Sequence, residues 1–217
     1  SSMCQNYPFL WRRPLGLVMG GLLIFCGCAG EGGAGAMTEA KLREFWSQLA
    51  TYQATIQITF FTGQTGNTYT VLQQALSSGP YRMEIQAPES VKGVVTVFDG
   101  EKTVQEDPSI GMRVTAAETP VRDALFVYSF WRQYAQTASA RTEDPAVLEA
   151  SSEEYVWEIQ MEGVHEKLDH ARLWLDAQTG CPKRMEVYDT DGQVSIQMEY
   201  LDFQPNADLD PALFTIT

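Results

Sequence analysis

The sequence predicts a mainly β protein with helices, an α+β fold, in which a half-open curved antiparallel sheet or barrel of about 9–11 strands is covered by an N-terminal helix and a mid-chain helix. Three observations predict it. From residue 54 onward most apolar residues alternate with polar ones, which is the period of a half-buried strand. Short turn signals separate these segments, so strands that are neighbours in sequence are expected to pair antiparallel. Two further segments keep helical spacing, and a sheet this large must curl around an apolar face that needs a cover.

The first helix is predicted over residues 38–52. Thr38 is a suitable N-cap, and Glu39 follows it at the end of the helix where the dipole favours an acid. The apolar face has the i, i+3, i+4, i+7 spacing of a helix packed on one side, and it consists of Leu42, Phe45, Trp46 and Leu49. This face is expected to lie on a large apolar surface.

Six strands are predicted between the two helices. Residues 63–67 and 78–80 supply turns, and Asp99-Gly100 is a hairpin signal because glycine tolerates a positive φ. The predicted strands are 54–60, 68–77, 81–87, 94–98, 102–106 and a short strand at 111–116.

The mid-chain helix is predicted over residues 119–137. Thr119 is a good N-cap, and Pro120 fits the first helical position, where its missing N–H costs nothing. Apolar residues lie around most of the circumference, which is typical of a helix that is buried on two sides or covers a cavity. The polar stretch 138–150 is predicted to be a loop with a short helical turn.

The last third of the chain is predicted to be an antiparallel meander. Apolar and polar residues alternate again, and the turns at 176–180 and 191–192 are short. The predicted strands are 155–161, 173–175, 183–188 and 194–200.

The aromatic residues on the two helices are the candidate site residues. They are predicted to be the lid of a hydrophobic cavity or a plug that fills it, with an ordinary core role as the third interpretation. The candidates are Phe126, Phe130, Trp131, Tyr134 and Trp46.

The chain's charge and its few histidines disfavour several classes of function. A formal net charge of −13 argues against nucleic-acid binding. His165 and His170 are five residues apart, not the four that place two metal ligands on one helix face, so no metal site is predicted. No nucleophile elbow or phosphate-binding glycine loop occurs, so no catalytic residue and no enzyme activity are predicted. A hydrolase built on paired carboxylates is the competing class.

The N-terminal stretch predicts export. Arg12 and Arg13 precede an apolar run at 14–27, and ~14 residues make roughly 21 Å of helix, short of the ~30 Å hydrocarbon core. Gly27-Cys28 resembles the lipobox of bacterial lipoproteins, although Cys26 and Phe25 are unusual there. We therefore expect a signal peptide at 1–27, a lipidated Cys28 with a flexible tether at 28–37, and one domain at 38–217. A transmembrane helix and an ordinary secretory signal are the alternatives.

Three stretches resemble the outer-membrane lipoprotein carrier superfamily, the LolA/LolB-like fold. They are VVTVFDGEKTVQEDPSIGMR (94–113), LWLDAQTGCPKRMEVYDTDGQVSIQMEYLDF (173–203) and the closing DPALF (210–214). The resemblance implies a half-open barrel that holds acyl chains under its helices. Residues 81–93, YRMEIQAPESVKG, are similar to germination lipoproteins of the GerS type in spore-forming Firmicutes, which implies binding to a cell-wall amidase.

The predicted function is that of a membrane-anchored, non-enzymatic binding module, a sporulation or germination regulator that binds a cell-wall amidase or another envelope protein. The alternative is a carrier or receptor for lipoprotein acyl chains or lipids. No cofactor is expected apart from a covalent diacylglycerol on Cys28. The expected location is the outer face of the bacterial cytoplasmic membrane, or the outer membrane in a Gram-negative cell.

Overall fold

An antiparallel sheet of eleven strands dominates the structure, a computed structural model that describes residues 35–116, 120–140, 147–161 and 165–217. The predicted α+β class and its range of strand number are therefore confirmed. Two 3₁₀ turns, Glu89–Val91 and Pro211–Phe214, accompany the regular elements. In chain order the α-helices and strands are α1 (Glu39–Gln48), β1 (Thr51–Thr62), β2 (Thr65–Leu76), β3 (Tyr81–Ala87), β4 (Val95–Phe98), β5 (Thr103–Asp107), β6 (Met112–Ala116), α2 (Pro120–Asp123), α3 (Val127–Ala140), β7 (Val147–Ala150), β8 (Glu154–Gln160), β9 (Leu168–Asp176), β10 (Pro182–Asp189) and β11 (Val194–Pro205).

Two meanders meet at the middle of the sheet. The strand order is β6-β5-β4-β3-β2-β1-β11-β10-β9-β8-β7, so the first strand pairs with the last. Their register runs from Tyr52 opposite Pro205 to Phe60 opposite Ile196, with an irregularity between Thr55 and Ile56. The antiparallel meander predicted from the short turns is confirmed, and β6 and β7 are the two edges of the sheet.

The concave face of the sheet carries the core. On β1 the side chains of Tyr52, Ala54, Ile56 and Ile58 are at most 1% exposed, whereas the residues between them face outward. Burying each large apolar side chain contributes about 1.5–3 kcal/mol, so this alternation specifies which face of the strand turns inward. Helices α1 and α3 lie on that face.

Helix α1 is shorter than predicted. It begins after Thr38, whose hydroxyl accepts a hydrogen bond from the Lys41 backbone N–H at 3.3 Å, as the cap prediction requires. It ends at Gln48 rather than at residue 52, because Tyr52 already belongs to β1 and pairs with both β2 and β11. Pairing on two sides satisfies the backbone there as well as a helix would, and it also places the Tyr52 side chain in the core.

Gly180 allows α1 to approach the β9–β10 turn closely. Its φ is +74°, and a Cβ built there would lie 3.1 Å from the Phe45 ring. The Gly180 carbonyl accepts a hydrogen bond from Trp46 Nε1 at 3.1 Å. A side chain at this position would strain the backbone and push the helix away.

The mid-chain helix is two helices, which corrects the prediction of one. Residues 124–126 interrupt it, and the Phe126 N–H bonds the Asp123 carbonyl three residues back. The Leu125 carbonyl instead accepts a hydrogen bond from the buried side-chain amide of Gln73 at 3.0 Å. A tertiary hydrogen bond thus replaces a helical one at the break. The predicted cap Thr119 lies outside the described residues.

A strand replaces part of the predicted loop at 138–150. Helix α3 extends to Ala140, and Val147–Ala150 form β7, in which Val147 lies opposite Trp157 of β8. Residues 147–150 show little alternation, and pairing with an existing edge is what makes them a strand.

The predicted signal peptide, Cys28 and most of the tether lie outside the described residues. Met37 is described, and its N–H donates to the Ala177 carbonyl at 2.6 Å while its own carbonyl accepts from the Tyr155 hydroxyl at 2.9 Å. The chain is therefore attached to the domain from Met37 onward. In the portions that the structure describes, no helix is long and apolar enough to cross a membrane.

Candidate functional site

A cavity of about 640 Å³ lies on the concave face of the N-terminal half of the sheet. It extends from β1 to the edge strand β6, with α2 on one side. Most of its lining is apolar, with a few polar side chains among them. The lining residues are Ile58, Phe60, Asn67, Tyr69, Val71, Met83, Ile85, Val91, Val94, Thr96, Gln105, Asp107, Met112, Arg122 and Leu125.

The cavity exists because the strands extend beyond the helices. At the covered end of β1, Tyr52 packs against Tyr128 of α3, with ring centroids 5.0 Å apart. Further along, Phe60 and Tyr69 contact each other edge to face at 6.0 Å and are only partly buried. Their side chains lie on the same face of the sheet as the core residues. From the helical region, however, only Arg122 and Leu125 reach this part of the sheet. An apolar surface is therefore left open to a ligand.

The predicted site residues lie elsewhere on the concave face. Trp46 stacks on Trp131 with centroids 5.4 Å apart and an interplanar angle of 21°, and Trp131 also contacts Phe130 and Tyr134. Phe126 lies apart from them, 4.0 Å from the Tyr81 ring. None of the five is among the residues that line the cavity. Their role as a lid or plug stays a prediction.

Trp157 joins four of these residues into one group, which we call the aromatic cluster: Trp46, Phe130, Trp131, Tyr134 and Trp157. Its ring lies 5.1 Å from Trp131 and 5.0 Å from Tyr134. The Arg43 guanidinium lies over the Tyr134 and Trp157 rings at 5.5 and 5.6 Å, a cation–π arrangement that closes the cluster on the α1 side. The cluster fills the concave face over the C-terminal half of the sheet.

The cavity-lining residues were missed as a set at the sequence level. Met83 and Ile85 lie in the alternating segment predicted as the strand 81–87, but such a pattern predicts a filled core equally well. No signal in the chain marks which stretch of the concave face the helices leave uncovered.

A buried polar chain separates the aromatic cluster from the cavity. The Tyr52 hydroxyl donates to Gln73 Oε1 at 2.5 Å, and Gln73 Nε2 donates to the Leu125 carbonyl. Leu125 is one of the residues that line the cavity. Burial raises the pKa of Tyr52 well above its ordinary value, and the nearby phenols of Tyr200 and Tyr128 add to the effect. The phenol therefore stays protonated and keeps donating.

Tyr52→Phe is expected to lower the free energy of unfolding by about 1–3 kcal/mol, because it leaves Gln73 Oε1 buried without its donor. Urea denaturation followed by tryptophan fluorescence measures the change. Tyr69→Phe, at the half-exposed side of the cavity, is the matched control and should shift stability by no more than about 0.5 kcal/mol. Equal effects of the two variants would contradict the proposed importance of the buried chain.

The convex face of β8–β10 carries charged and aromatic side chains in rows. Arg172 donates to Glu158 at 2.7 Å, and His170 stacks on Tyr188 with centroids 4.4 Å apart. Burial and the hydrogen bond to Glu186 raise the pKa of Tyr188 to about 12. Throughout the described part of the chain, no group of three or more His, Cys, Asp and Glu side chains is placed to hold a metal ion.

An open half-barrel of eleven antiparallel strands, with helices on its concave face and an apolar cavity beside them, matches the LolA-like fold that the sequence motifs imply. An uncharacterized conserved protein from Thermus thermophilus has a similar structure, with a TM-score of 0.52 at 13% identity over 82% of this chain and 93% of that chain. This likeness shows that the two proteins share a fold and shows nothing further about this chain. The chain belongs to the YdcC-like sporulation protein family, whose model matches residues 17–214. The resemblance that the sequence motifs indicated is confirmed.

Two further solved structures are similar at lower scores. One is the LolA superfamily protein NE2245 from Nitrosomonas europaea, with a TM-score of 0.47 at 15% identity over 83% of this chain and 99% of that chain. The other is a chain of the CwlD amidase–GerS lipoprotein complex from Clostridioides difficile, with a TM-score of 0.48 at 23% identity over 77% of this chain and 96% of that chain. No curated protein sequence matches the chain.

Proposed function

We propose that this protein is an exported, lipid-anchored binding protein of sporulating cells, which binds a cell-wall amidase or another envelope protein and catalyses no reaction itself. Membership of the YdcC-like sporulation family supports the cellular context. The apolar run before Cys28 supports export and anchoring, and the glycine-rich sequence after it, predicted to be a tether, would let the domain reach a partner beside the membrane.

The aromatic cluster is the observation that carries the proposal. A carrier for several acyl chains needs empty apolar space beneath its helices, whereas here Trp46, Trp131 and Trp157 occupy that space over half of the sheet. Closely packed rings form a rigid core, so a partner would bind at the outer surface of the protein instead. A regulator that acts by protein contact fits this arrangement better than a multi-chain carrier does.

The polar residues of the cavity support a non-catalytic role. Asp107 is the one carboxylate among the described lining residues, and it accepts hydrogen bonds from the backbone N–H and hydroxyl of Ser109, which fixes it in a turn. Among the described residues, the tyrosines with a raised pKa are Tyr52, Tyr128 and Tyr200 in the core and Tyr188 on the convex face, and none of them lines the cavity. A paired-carboxylate hydrolase finds no support in this geometry.

The cavity itself favours a second candidate, a carrier for one acyl chain. Its volume of about 640 Å³ lies within the roughly 300–1,000 Å³ that is typical of small-molecule sites. Ile58, Val71 and Ile85 give it the apolar lining that such a ligand requires.

Native mass spectrometry separates the two candidates. The anchor-free domain, residues 37–217, is extracted gently from a spore-forming host and analysed with whatever it retains. An empty protein that captures a cell-wall amidase supports the proposal, and stoichiometric fatty acid or phospholipid without a protein partner supports the carrier.

Ile85→Trp is expected to fill the cavity without harming the fold, because residue 85 faces an open space. A carrier would lose at least about tenfold of its bound lipid, about 1.4 kcal/mol of affinity, whereas a regulator has no bound lipid to lose. Leu201→Trp is the matched control, since it adds a ring to a side chain that is 47% exposed on β11. Lipid analysis and partner capture are compared for both variants.

A further inference from the structure

The methionines that the structure describes differ sharply in exposure. Met112 is 39% exposed, whereas Met37 and Met83 are partly buried. The remaining methionines of the described residues lie in the core and are at most 3% exposed: Met161, Met185 and Met198. A thioether is oxidised where an oxidant can reach its sulfur, so Met112 is the side chain that an oxidant in solution meets first.

Met112 lies at the rim of the cavity. It is the first residue of the edge strand β6, and it belongs to the residues that line the cavity. The turn before it is open to solvent, since Ile110 is 71% exposed. A small oxidant can therefore approach the Met112 side chain from solvent, while the same side chain forms part of the apolar wall.

A second thioether, that of Met83, lines the inner wall of the same cavity. Met83 is on β3, where it lies opposite Gln73 of β2 and Thr96 of β4. Strands β4 and β5 separate it from Met112 in the sheet. The cavity thus has one exposed thioether at its rim and one partly buried thioether further in, and the two should be oxidised in that order.

Oxidation would give the rim a polar group in place of an apolar one. A sulfoxide oxygen accepts hydrogen bonds and donates none, and Asp107, which lies opposite Met112, is an acceptor as well. The donors among the lining residues include the Gln105 amide and the Arg122 guanidinium. Turned toward them, the new oxygen places a polar group inside the cavity. Turned toward solvent, it takes the side chain away from the apolar wall, so an apolar occupant loses contact with Met112 in both cases.

We propose that Met112 is a sulfoxidation site, at which hydrogen peroxide converts the thioether to a sulfoxide and thereby lowers the affinity of the cavity for apolar groups. The sulfur forms a bond to one peroxide oxygen while the O–O bond breaks. The proton of the transferred oxygen passes to the leaving oxygen, which departs as water. The sulfur is oxidised by two electrons and the peroxide is reduced by two. This site goes beyond the proposed function, and it acts alike on apolar groups of a protein partner and of a lipid.

The test uses the full chain in phosphatidylcholine nanodiscs, treated with rising concentrations of hydrogen peroxide and analysed by peptide mapping in a mass spectrometer. Met112 is expected to be oxidised at least about tenfold faster than the core methionines, with Met83 between them. At a dose that oxidises Met112 alone, an alkyl diazirine is added and photolysed as an apolar probe. Its crosslinks to the lining residues of β1, β2 and β3, relative to those in the nanodisc scaffold protein, should fall at least about threefold.

Three variants make the result specific to the rim. Met112→Leu keeps an apolar side chain of similar size, so its crosslinking should stay within about twofold of the unoxidised protein and should not respond to this peroxide dose. Met112→Gln places a permanent amide at the rim and should reduce the crosslinking without peroxide. Leu201→Gln makes the same kind of change at an exposed apolar residue outside the cavity and should have no effect.

Several results would overturn the sulfoxidation site. Oxidation of Met83 or of a core methionine as fast as Met112 would do so, as would unchanged crosslinking once Met112 is oxidised. A Met112→Leu protein that still responds to this dose would assign the effect to another residue and reject the site. A probe that fails to label the cavity of the untreated protein would reject it too, as would a far-ultraviolet circular dichroism spectrum showing that oxidation unfolds the chain. If Met112→Gln fails to fold, the oxidised unsubstituted chain decides the question.

Discussion

Trp157→Ala is expected to lower the free energy of unfolding by about 3–5 kcal/mol, the largest stability effect of a single substitution that we predict. Trp157 is fully buried, contacts Trp131 and Tyr134, and lies under the Arg43 guanidinium. Removing its ring leaves a cavity in the aromatic cluster that rigid neighbours cannot close. For a domain of this size the loss corresponds to roughly 6–20 °C in Tm, which differential scanning calorimetry measures.

Two companion variants make the prediction specific. Trp174 is on the adjacent strand but faces the convex side under Arg184. Trp174→Ala should therefore lower the free energy of unfolding by only about 1 kcal/mol. The Trp157 Nε1–H finds no acceptor among the described residues, so Trp157→Phe removes an unsatisfied donor together with part of the ring. Trp157→Phe should therefore lower the free energy of unfolding much less than Trp157→Ala does. Equal losses for all three substitutions would show that the aromatic cluster does not hold the helices on the sheet.

Cys28→Ala is expected to abolish labelling by radioactive palmitate and to move the protein from the detergent phase to the aqueous phase. Lipidation of the thiol requires sulfur, and two acyl chains are what makes such an anchor stable. The measurement is metabolic labelling followed by detergent phase separation in a bacterial host.

Cys26→Ala is the matched control, because Cys26 lies two residues earlier in the same apolar stretch. It should keep full labelling, since alanine is a more usual residue at that lipobox position. Unchanged labelling of Cys28→Ala, or loss of labelling in Cys26→Ala alone, would contradict the predicted attachment site.

The strands were predictable because their signal is local. The strand predicted from the alternation at 81–87 has the bounds of β3, and the Asp99-Gly100 turn joins β4 to β5 as predicted. A half-buried sheet imposes this period on each strand separately, so a single segment of sequence carries it.

The ends of the helices were not predictable in the same way. The amphipathic pattern of α1 continues to Leu49, yet the chain becomes extended there because β1 begins at Thr51 between two neighbours. The break between α2 and α3 depends on Gln73, which is about fifty residues away in sequence and bonds the Leu125 carbonyl. Contacts between distant residues override a local helical preference at both places.

The aromatic cluster and the cavity also combine features that are local in sequence with features that depend on contacts between distant residues. The sequence by itself determined that the helix carrying Phe130, Trp131 and Tyr134 is apolar around most of its circumference, because the order of residues along a helix is a local property. Only the tertiary structure decided that these rings cover the C-terminal half and leave Met83 and Ile85 lining an open cavity. The period of a strand specifies which face is apolar, but whether a helix, a ligand or a partner covers that face depends on where distant elements come to rest.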